Sequence, residues 1–369
     1  MRILVTGARG FIGQNLCLKL TEEGHQVLAF GRDSNESVLF KMIQEADAVC
    51  HLAGANRPQS ETEFEEVNCV FTRRLCELAE RGGKLLPIVF TSSSQVGKNK
   101  KSYARSKQQA EKILIEYGRR TGAPVKILRL PNVFGKWCRP NYNSVVATFC
   151  HNIAHDIQIS IHDASRKMQL IYVDDLAQDL IRMLKSGLAG NVYVTLGPVY
   201  ETTVGDLAQD LREFRNWQDS RMVGKVGCGY HRALYSTYLS YLPTNRFSYR
   251  IKSHRDARGL FCEILKTPDS GQVSFFTALP GSTRGGHYHH SKNEKFLVVK
   301  GSAKFRFRHL LTGVRFELET SDVQPEIVET IPGWTHDITN SGDSEMVVVL
   351  WANELFDPAN PDTFRMPVQ

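Results

Sequence analysis

The residues able to do chemistry in this chain fall in two places. In the second half, His287-Tyr-His289 precedes Glu294 and the apolar run Phe296-Leu-Val-Val299, which ends at Gly301. Side chains alternate along a strand, so two histidines one residue apart face the same way. With a carboxylate beyond the following turn, they make a nitrogen/oxygen site for a divalent cation such as Zn2+. In the first half, Tyr103 and Lys107 stand one helical turn apart and share a face. A lysine beside a phenol favours the phenolate and lowers its pKa, so such a tyrosine exchanges a proton with a carbonyl or alcohol near neutrality. The same spacing recurs at Tyr288 and Lys292, but in β-rich sequence where no helix would align the pair. The first pair follows the strand-like run Ile88-Val-Phe-Thr-Ser-Ser93-Ser94, whose hydroxyls can reach a substrate oxygen.

These residues need scaffolds, and the sequence supplies two kinds. Gly7-Ala-Arg9-Gly10-Phe11-Ile12-Gly13 follows the apolar run Ile3–Thr6 and opens a helix. Glycines there permit a tight turn and close approach to a pyrophosphate, which the helix N-terminus attracts. The second strand ends Ala29-Phe30-Gly31-Arg32, with no acid in the position that would bind a ribose 2′-hydroxyl. Arg32, joined by Arg9, suits a 2′-phosphate through its planar fork, so the expected cofactor is NADPH. Strand-like and helical runs alternate through this half, which predicts a doubly wound parallel sheet. From about Tyr249 the segments become short, β-branched and aromatic, with Gly, Pro, Asp and Ser between them. That pattern predicts an antiparallel sandwich or barrel. The boundary is expected near Pro243–Arg246, giving domains 1–245 and 246–369.

A chain of 369 residues fits two domains, and an apolar share of 41% with 23% charged residues fits a globular protein. No apolar run reaches the length of a membrane span, and the start reads as a strand and not as a signal peptide. The eight cysteines are scattered with no Cys-x-x-Cys pair, as expected of reduced thiols in the cytoplasm. The net charge of +7 is thinly spread and accompanies no nucleic-acid-binding motif, so small anionic ligands suit it better.

TGARGFIG, CHLAGA, FTSSSQVG, YARSK, LRLPNVFG and IYVDDLA appear in order over roughly the first 180 residues. In them the N-terminal half resembles an extended short-chain dehydrogenase/reductase. The resemblance implies a Ser93/Tyr103/Lys107 triad, with Ser94 as the alternative hydroxyl. It places Leu52, Ala53 and Gly54 along the cofactor cleft, and Asn132 and Val133 near the nicotinamide. The Ser-to-Tyr separation is short for that family. Its basic residue before the YVDD segment is replaced by Met168, with Arg166 just upstream as the substrate-contacting candidate.

The stretch Gly281 to Gly301, with Pro332-Gly333-Trp-Thr-His336 beyond it, resembles the two motifs of a cupin (jelly-roll) barrel. That resemblance adds His336 to His289 and Glu294 as a metal ligand. Asp256-Ala-Arg258-Gly259 and Arg284-Gly-Gly-His287 resemble metal-free deoxysugar 3,5-epimerases, in which the histidine matching His287 abstracts a proton. His287 is therefore either a fourth ligand or a base beside a three-ligand metal. Arg258 and Arg284 are expected to hold the anionic part of the substrate, and His290 to be solvated.

Taken whole, the chain resembles the CapF (WbjC) family of capsular-polysaccharide and O-antigen enzymes, homodimers that join a reductase domain to a zinc cupin. The resemblance implies C3 epimerisation and then NADPH-dependent C4 reduction of UDP-2-acetamido-2,6-dideoxy-L-arabino-hexos-4-ulose. The product would be UDP-2-acetamido-2,6-dideoxy-L-talose, on the way to UDP-N-acetyl-L-fucosamine. The alternative is a sugar-nucleotide reductase, dehydratase or epimerase whose cupin is structural or regulatory.

Overall fold

A computed structural model describes residues 1–57, 60–98, 101–185, 192–221, 223–251, 253–256, 259–262, 265, 271–354 and 359–369. The described chain groups into two compact units. The first spans residues 1–134, 138–144 and 167–202, and the second residues 135–137, 145–166 and 203–369.

The first unit is built on five parallel strands: β1 (Arg2–Thr6), β2 (Gln26–Phe30), β3 (Ala48–His51), β4 (Ile88–Ser93) and β5 (Val125–Leu130). Their spatial order is β2-β1-β3-β4-β5, so the winding reverses between β1 and β3. In such sheets ligands bind at that reversal, outside the carboxyl ends of the strands. Both faces are apolar because both are covered. Ile3, Val5, Cys50, Val89 and Leu128 pack with Leu16, Leu20, Leu176 and Leu180. The alternate residues Leu4, Val49, Ile88, Phe90 and Ile127 pack with Leu39, Ile43, Leu75, Leu114 and Tyr117. The helices are α1 (Phe11–Glu22), α2 (Glu36–Glu45), α3 (Glu61–Phe64), α4 (Phe71–Arg81) and α5 (Ser102–Thr121). A π-helical segment, Glu65–Val70, joins α3 to α4.

A small sheet follows, of β6 (Asn132–Phe134), β7 (Lys167–Tyr172) and β8 (Tyr200–Thr203). The remaining helices are α6 (Val145–Ala154), α7 (Val173–Lys185), α8 (Val204–Ser220) and α9 (Gly229–Leu239). Among the described residues no helix is long and apolar enough to cross a membrane.

The second unit carries the β-rich half. Its strands are β9 (Ser248–Arg250), β10 (Ser253–Asp256), β11 (Gly259–Cys262), β12 (Gln272–Ala278), β13 (Thr283–Tyr288) and β14 (Glu294–Lys300). They continue as β15 (Ser302–His309), β16 (Arg315–Ser321), β17 (Glu326–Glu329), β18 (Trp334–Asn340), β19 (Met346–Ala352) and β20 (Phe364–Arg365). Two five-stranded sheets form, ordered β12-β19-β14-β17-β9 and β16-β15-β18-β13-β20, and β10 pairs with β11 separately. The pairings within the two sheets are antiparallel. The inner faces meet through aromatic contacts: Phe296 of β14 lies 5.7 Å from Phe305 of β15, ring centre to ring centre. The parallel α/β fold followed by antiparallel β-structure is the fold class the sequence predicts.

Candidate active sites

The loop between β1 and α1 is shaped by what it excludes. Gly7 takes φ +69°, and a Cβ there would stand 2.8 Å from the Ala53 amide nitrogen. A Cβ on Gly13 would stand 2.2 Å from the Gly7 carbonyl oxygen. Only hydrogen fits at either position, so backbone meets backbone beside Leu52, Ala53 and Gly54. The α1 helix begins after Gly10 with no side-chain cap, which leaves its first N–H groups available to an anion. Phe11 and Ile12 are half-buried at its start. Arg9 and Arg32 are exposed near the end of β2; Arg9 pairs with Asp33, and Arg32 lies 3.8 Å from Glu63. This constellation fits a dinucleotide in its donors and in its space.

Beside it stand the acid–base candidates. Ser93 closes β4, and Tyr103 lies in the first turn of α5, where the Ser93 hydroxyl favours its phenolate. The buried face of α5 carries Lys107, Ala110, Glu111, Leu114 and Tyr117, so two charged residues lie in an otherwise apolar stripe. The Lys107 ammonium donates to the Thr91 carbonyl at 2.8 Å and lies 4.4 Å from the centre of the Phe90 ring. Burial pulls its pKa down to about 8, opposed by Glu111. Tyr103 departs from the expectation. Burial raises its pKa, and the Ser93 hydroxyl opposes the rise.

Glu111 collects four hydrogen bonds: from Ser92 at 2.5 Å, from Arg129 at 3.0 and 2.7 Å, and from Tyr193 at 3.1 Å. Burial raises its pKa, but these bonds and the Arg129 charge outweigh it and hold the carboxylate ionised. A cleft of about 440 Å³ opens beside Ser94, lined by Arg129, Pro131, Gln169, Tyr193 and Leu196 among others.

In the second unit, His287, His289, Glu294 and His336 bring one ligand atom each to within 4.8 Å of one another. Strand pairing sets this up. β13 and β18 place His287 opposite His336. His289 follows β13, and Glu294 begins β14 after a tight turn. The His289 Nε2 lies 3.2 Å from Glu294 Oε2, and the His336 Nε2 lies 3.7 Å from the same oxygen. Lys292 approaches the other oxygen at 3.3 Å. Burial opposes ionisation of Glu294, but the histidines and Lys292 around it outweigh burial and hold its pKa well below the usual range. His287 is the least buried of the four, and desolvation with its histidine neighbours lowers its pKa to about 3. His336 is buried, and neither ring nitrogen has a hydrogen-bond partner. An imidazole lone pair left unanswered beside a carboxylate fits a divalent cation.

Comparison with known proteins follows this division. Residues 3–195 match the NAD dependent epimerase/dehydratase family, and residues 254–364 match the polysaccharide biosynthesis C-terminal domain. A Pseudomonas aeruginosa protein named UDP-2-acetamido-2,6-beta-L-arabino-hexul-4-ose reductase is 52% identical over 369 residues, covering 100% of this chain and 99% of the relative. The crystal structure of the capsular polysaccharide assembling protein CapF from Staphylococcus aureus matches over 100% of both chains, at 39% identity and a TM-score of 0.67. The chain belongs to the CapF family. Bordetella bronchiseptica WbmF, in complex with NAD+, matches 58% of this chain and 78% of its own at 22% identity and a TM-score of 0.53, a likeness of fold alone.

In this CapF-family chain the sequence-predicted residues gather in two groups. Ser93, Tyr103 and Lys107 lie on the strand and helix beside the Gly54 segment, and His287, His289, Glu294 and His336 join one another. Val133 pairs with Ile171 of β7 and packs against the core, and the Asn132 amide reaches the Gln169 carbonyl at 3.4 Å. Arg166 is exposed, and its carbonyl accepts the Val204 N–H. Arg284 donates to the Thr277 carbonyl at 3.1 Å and lies 5.1 Å from the Phe276 ring centre. Arg258 lies outside the described residues. The second Tyr/Lys pair dissolves: Tyr288 stacks on Phe364, whereas Lys292 turns to Glu294. His290, expected to be solvated, is buried against Tyr288 and Phe364 because β20 adds to the sheet there.

Two residues escaped sequence reasoning. Asn68, in the π-helical segment, bonds the Ala55 N–H at 2.9 Å, the Ala55 carbonyl at 3.1 Å and the Ser106 hydroxyl at 2.9 Å. It thereby ties the segment after Gly54 to the helix bearing Tyr103; a π-bulge is a frequent mark of such places. The other is Asp362, whose bonds converge on the turn between His289 and Glu294.

Proposed function

We propose that this protein processes a nucleotide-linked 4-keto-6-deoxy sugar in two steps, inverting C3 in the β-rich module and reducing C4 in the α/β module. The broad part of the reading, NAD(P)-dependent reduction of a sugar nucleotide, rests on family membership and on the 52% identical reductase. The finer part names UDP-2-acetamido-2,6-dideoxy-L-arabino-hexos-4-ulose as substrate, NADPH as reductant and UDP-2-acetamido-2,6-dideoxy-L-talose as product. The modules are residues 1–245 and 246–369, working as a homodimer in the cytoplasm. One observation carries the reading: a single chain holds both a buried Lys107 ammonium beside Gly54, on the helix that bears Tyr103, and a His287/His289/Glu294/His336 cluster.

The chemistry fixes the order. A C4 ketone makes the C3 proton acidic, and an alcohol there would not, so inversion precedes reduction. His287 is unprotonated at neutral pH and is the base that takes the C3 proton; a solvent-derived proton returned to the opposite face of C3 completes the inversion. A Zn2+ ion held by His289, Glu294 and His336 would stabilise the negative charge that develops on the C4 oxygen. Arg284 and Arg258 steady the anionic part of the substrate, as does Arg166 in the other module. Reduction needs a hydride from the bound nicotinamide and a proton from Tyr103. The raised pKa of Tyr103 keeps the phenol protonated for that delivery, and Ser93 orients it.

The test is incubation with the 4-ketosugar in deuterated water, with and without NADPH. Deuterium is expected at C3 without NADPH, lost in His287→Ala and retained in Tyr103→Phe, which should fail to oxidise NADPH. Retained exchange in His287→Ala removes the base assignment, and turnover by Tyr103→Phe removes the reductase assignment.

A further inference from the structure

We infer that Asp362 is a positioning residue of the cation site, latching the ligand-bearing turn and fixing which nitrogen of His289 faces the cluster. The inference rests on the cation reading above. Its basis is the way residues 359–369 wrap the site. β20 pairs with β13, setting Arg365 opposite His287 and Phe364 opposite Tyr288. The Met366 N–H donates to the Gly286 carbonyl at 2.8 Å. Thr335, next to His336, donates to the Met366 carbonyl. Arg308 donates to the Pro367 and Val368 carbonyls.

Asp362 works within this strap by two separate groups. Its carboxylate accepts the backbone N–H of His290 at 2.9 Å and those of Ser291 and Lys292 at 2.7 Å each. It also accepts the Ser291 hydroxyl at 3.1 Å. Three consecutive amides gathered on one carboxylate fix the path of the turn that runs from His289 to Glu294. The backbone carbonyl of Asp362 meets His289 Nδ1 at 2.5 Å. A carbonyl only accepts, so Nδ1 carries the hydrogen, and the neutral ring presents the Nε2 lone pair to the cluster. That lone pair faces Glu294 Oε2, itself an acceptor, at 3.2 Å. Two acceptors at that distance require a proton or a cation between them. Asp362 thus preorganises a ligand without touching the ion, as outer partners of metal-bound histidines do.

Zn2+ affinity of the full chain, measured by chelator competition, tests this. Wild type is expected to bind the ion. Asp362→Ala should bind it about 10–100-fold more weakly, as is typical when an outer partner is removed. Asp362→Asn keeps the shape and one acceptor oxygen, so it should fall between the two. It also carries the test if the alanine variant melts early. The Co2+-substituted electronic spectrum should change in both variants while NADPH affinity stays constant, a pattern that a loss of stability alone would not produce. Wild-type Zn2+ affinity and an unchanged Co2+ spectrum in the variants would overturn the inference. Failure of wild type to bind any divalent ion would overturn the cation reading itself, and the inference with it.

Discussion

Reduction by this protein should fade on the alkaline side with an apparent pKa near 8, set by Lys107. The residue is 5% exposed, and its ammonium has a carbonyl acceptor at 2.8 Å and an aromatic face at 4.4 Å. The nearest carboxylate that opposes its deprotonation, Glu111, already serves Arg129, Ser92 and Tyr193, so it offsets only part of the desolvation. The drop from an ordinary 10.5 to about 8 corresponds to about 3.4 kcal/mol against the charged form. Between those values the unfolded chain binds more protons than the folded one, so stability rises with pH across that window. Below pH 8 the folded state carries the full penalty. Lys107→Met should therefore abolish NADPH oxidation yet raise the melting temperature of the α/β half. The Thr91 carbonyl would lose its donor at a cost of about 1–3 kcal/mol, leaving a net gain on the order of 1 kcal/mol. The assay is kcat/KM for NADPH oxidation from pH 6 to 10, which reports groups of the free enzyme, paired with calorimetry of both proteins. A profile flat to pH 10, or a Lys107→Met protein that melts earlier than wild type, would refute the reasoning.

Gly13→Ala would put a methyl 2.2 Å from the Gly7 carbonyl oxygen, where only backbone could yield. Overpacking of this kind costs about 1–3 kcal/mol; NADPH affinity by fluorescence titration should fall at least about tenfold, with Zn2+ affinity unchanged. Arg32→Ala removes a charge-assisted contact worth about 1.5–3 kcal/mol. It should weaken NADPH about ten- to a hundredfold and leave NADH unaffected; equal loss for both cofactors would show that Arg32 does not read the 2′-phosphate.

What the sequence made legible was local. The glycine loop follows from steric limits within a few residues, and the Tyr103/Lys107 alignment from the helical period. The His287/His289 pair follows from strand alternation, although β13 ends at Tyr288 and leaves His289 in the turn. What stayed hidden depends on distant partners. Nothing beside Glu111 in sequence announces that Arg129 will neutralise it. Nothing around Asp362 distinguishes it from other loop carboxylates, because its partners lie 70 to 72 positions earlier. His290 reads as solvated for the same reason: its cover, Phe364, arrives from far along the chain.

The helices α8 and α9 group with the β-sheets, and the polar atoms at that junction are already spoken for. Gln218 of α8 donates to Glu329 at 3.2 Å, and Ser236 of α9 donates to the Ser291 carbonyl at 2.8 Å. Asn353 donates to the Val226 carbonyl at 3.2 Å. A fragment beginning at residue 246 would tear each of these pairs, stripping the turn between His289 and Glu294 of its floor. Anyone wishing to transplant the β-rich half into another protein has to carry its helical pedestal along.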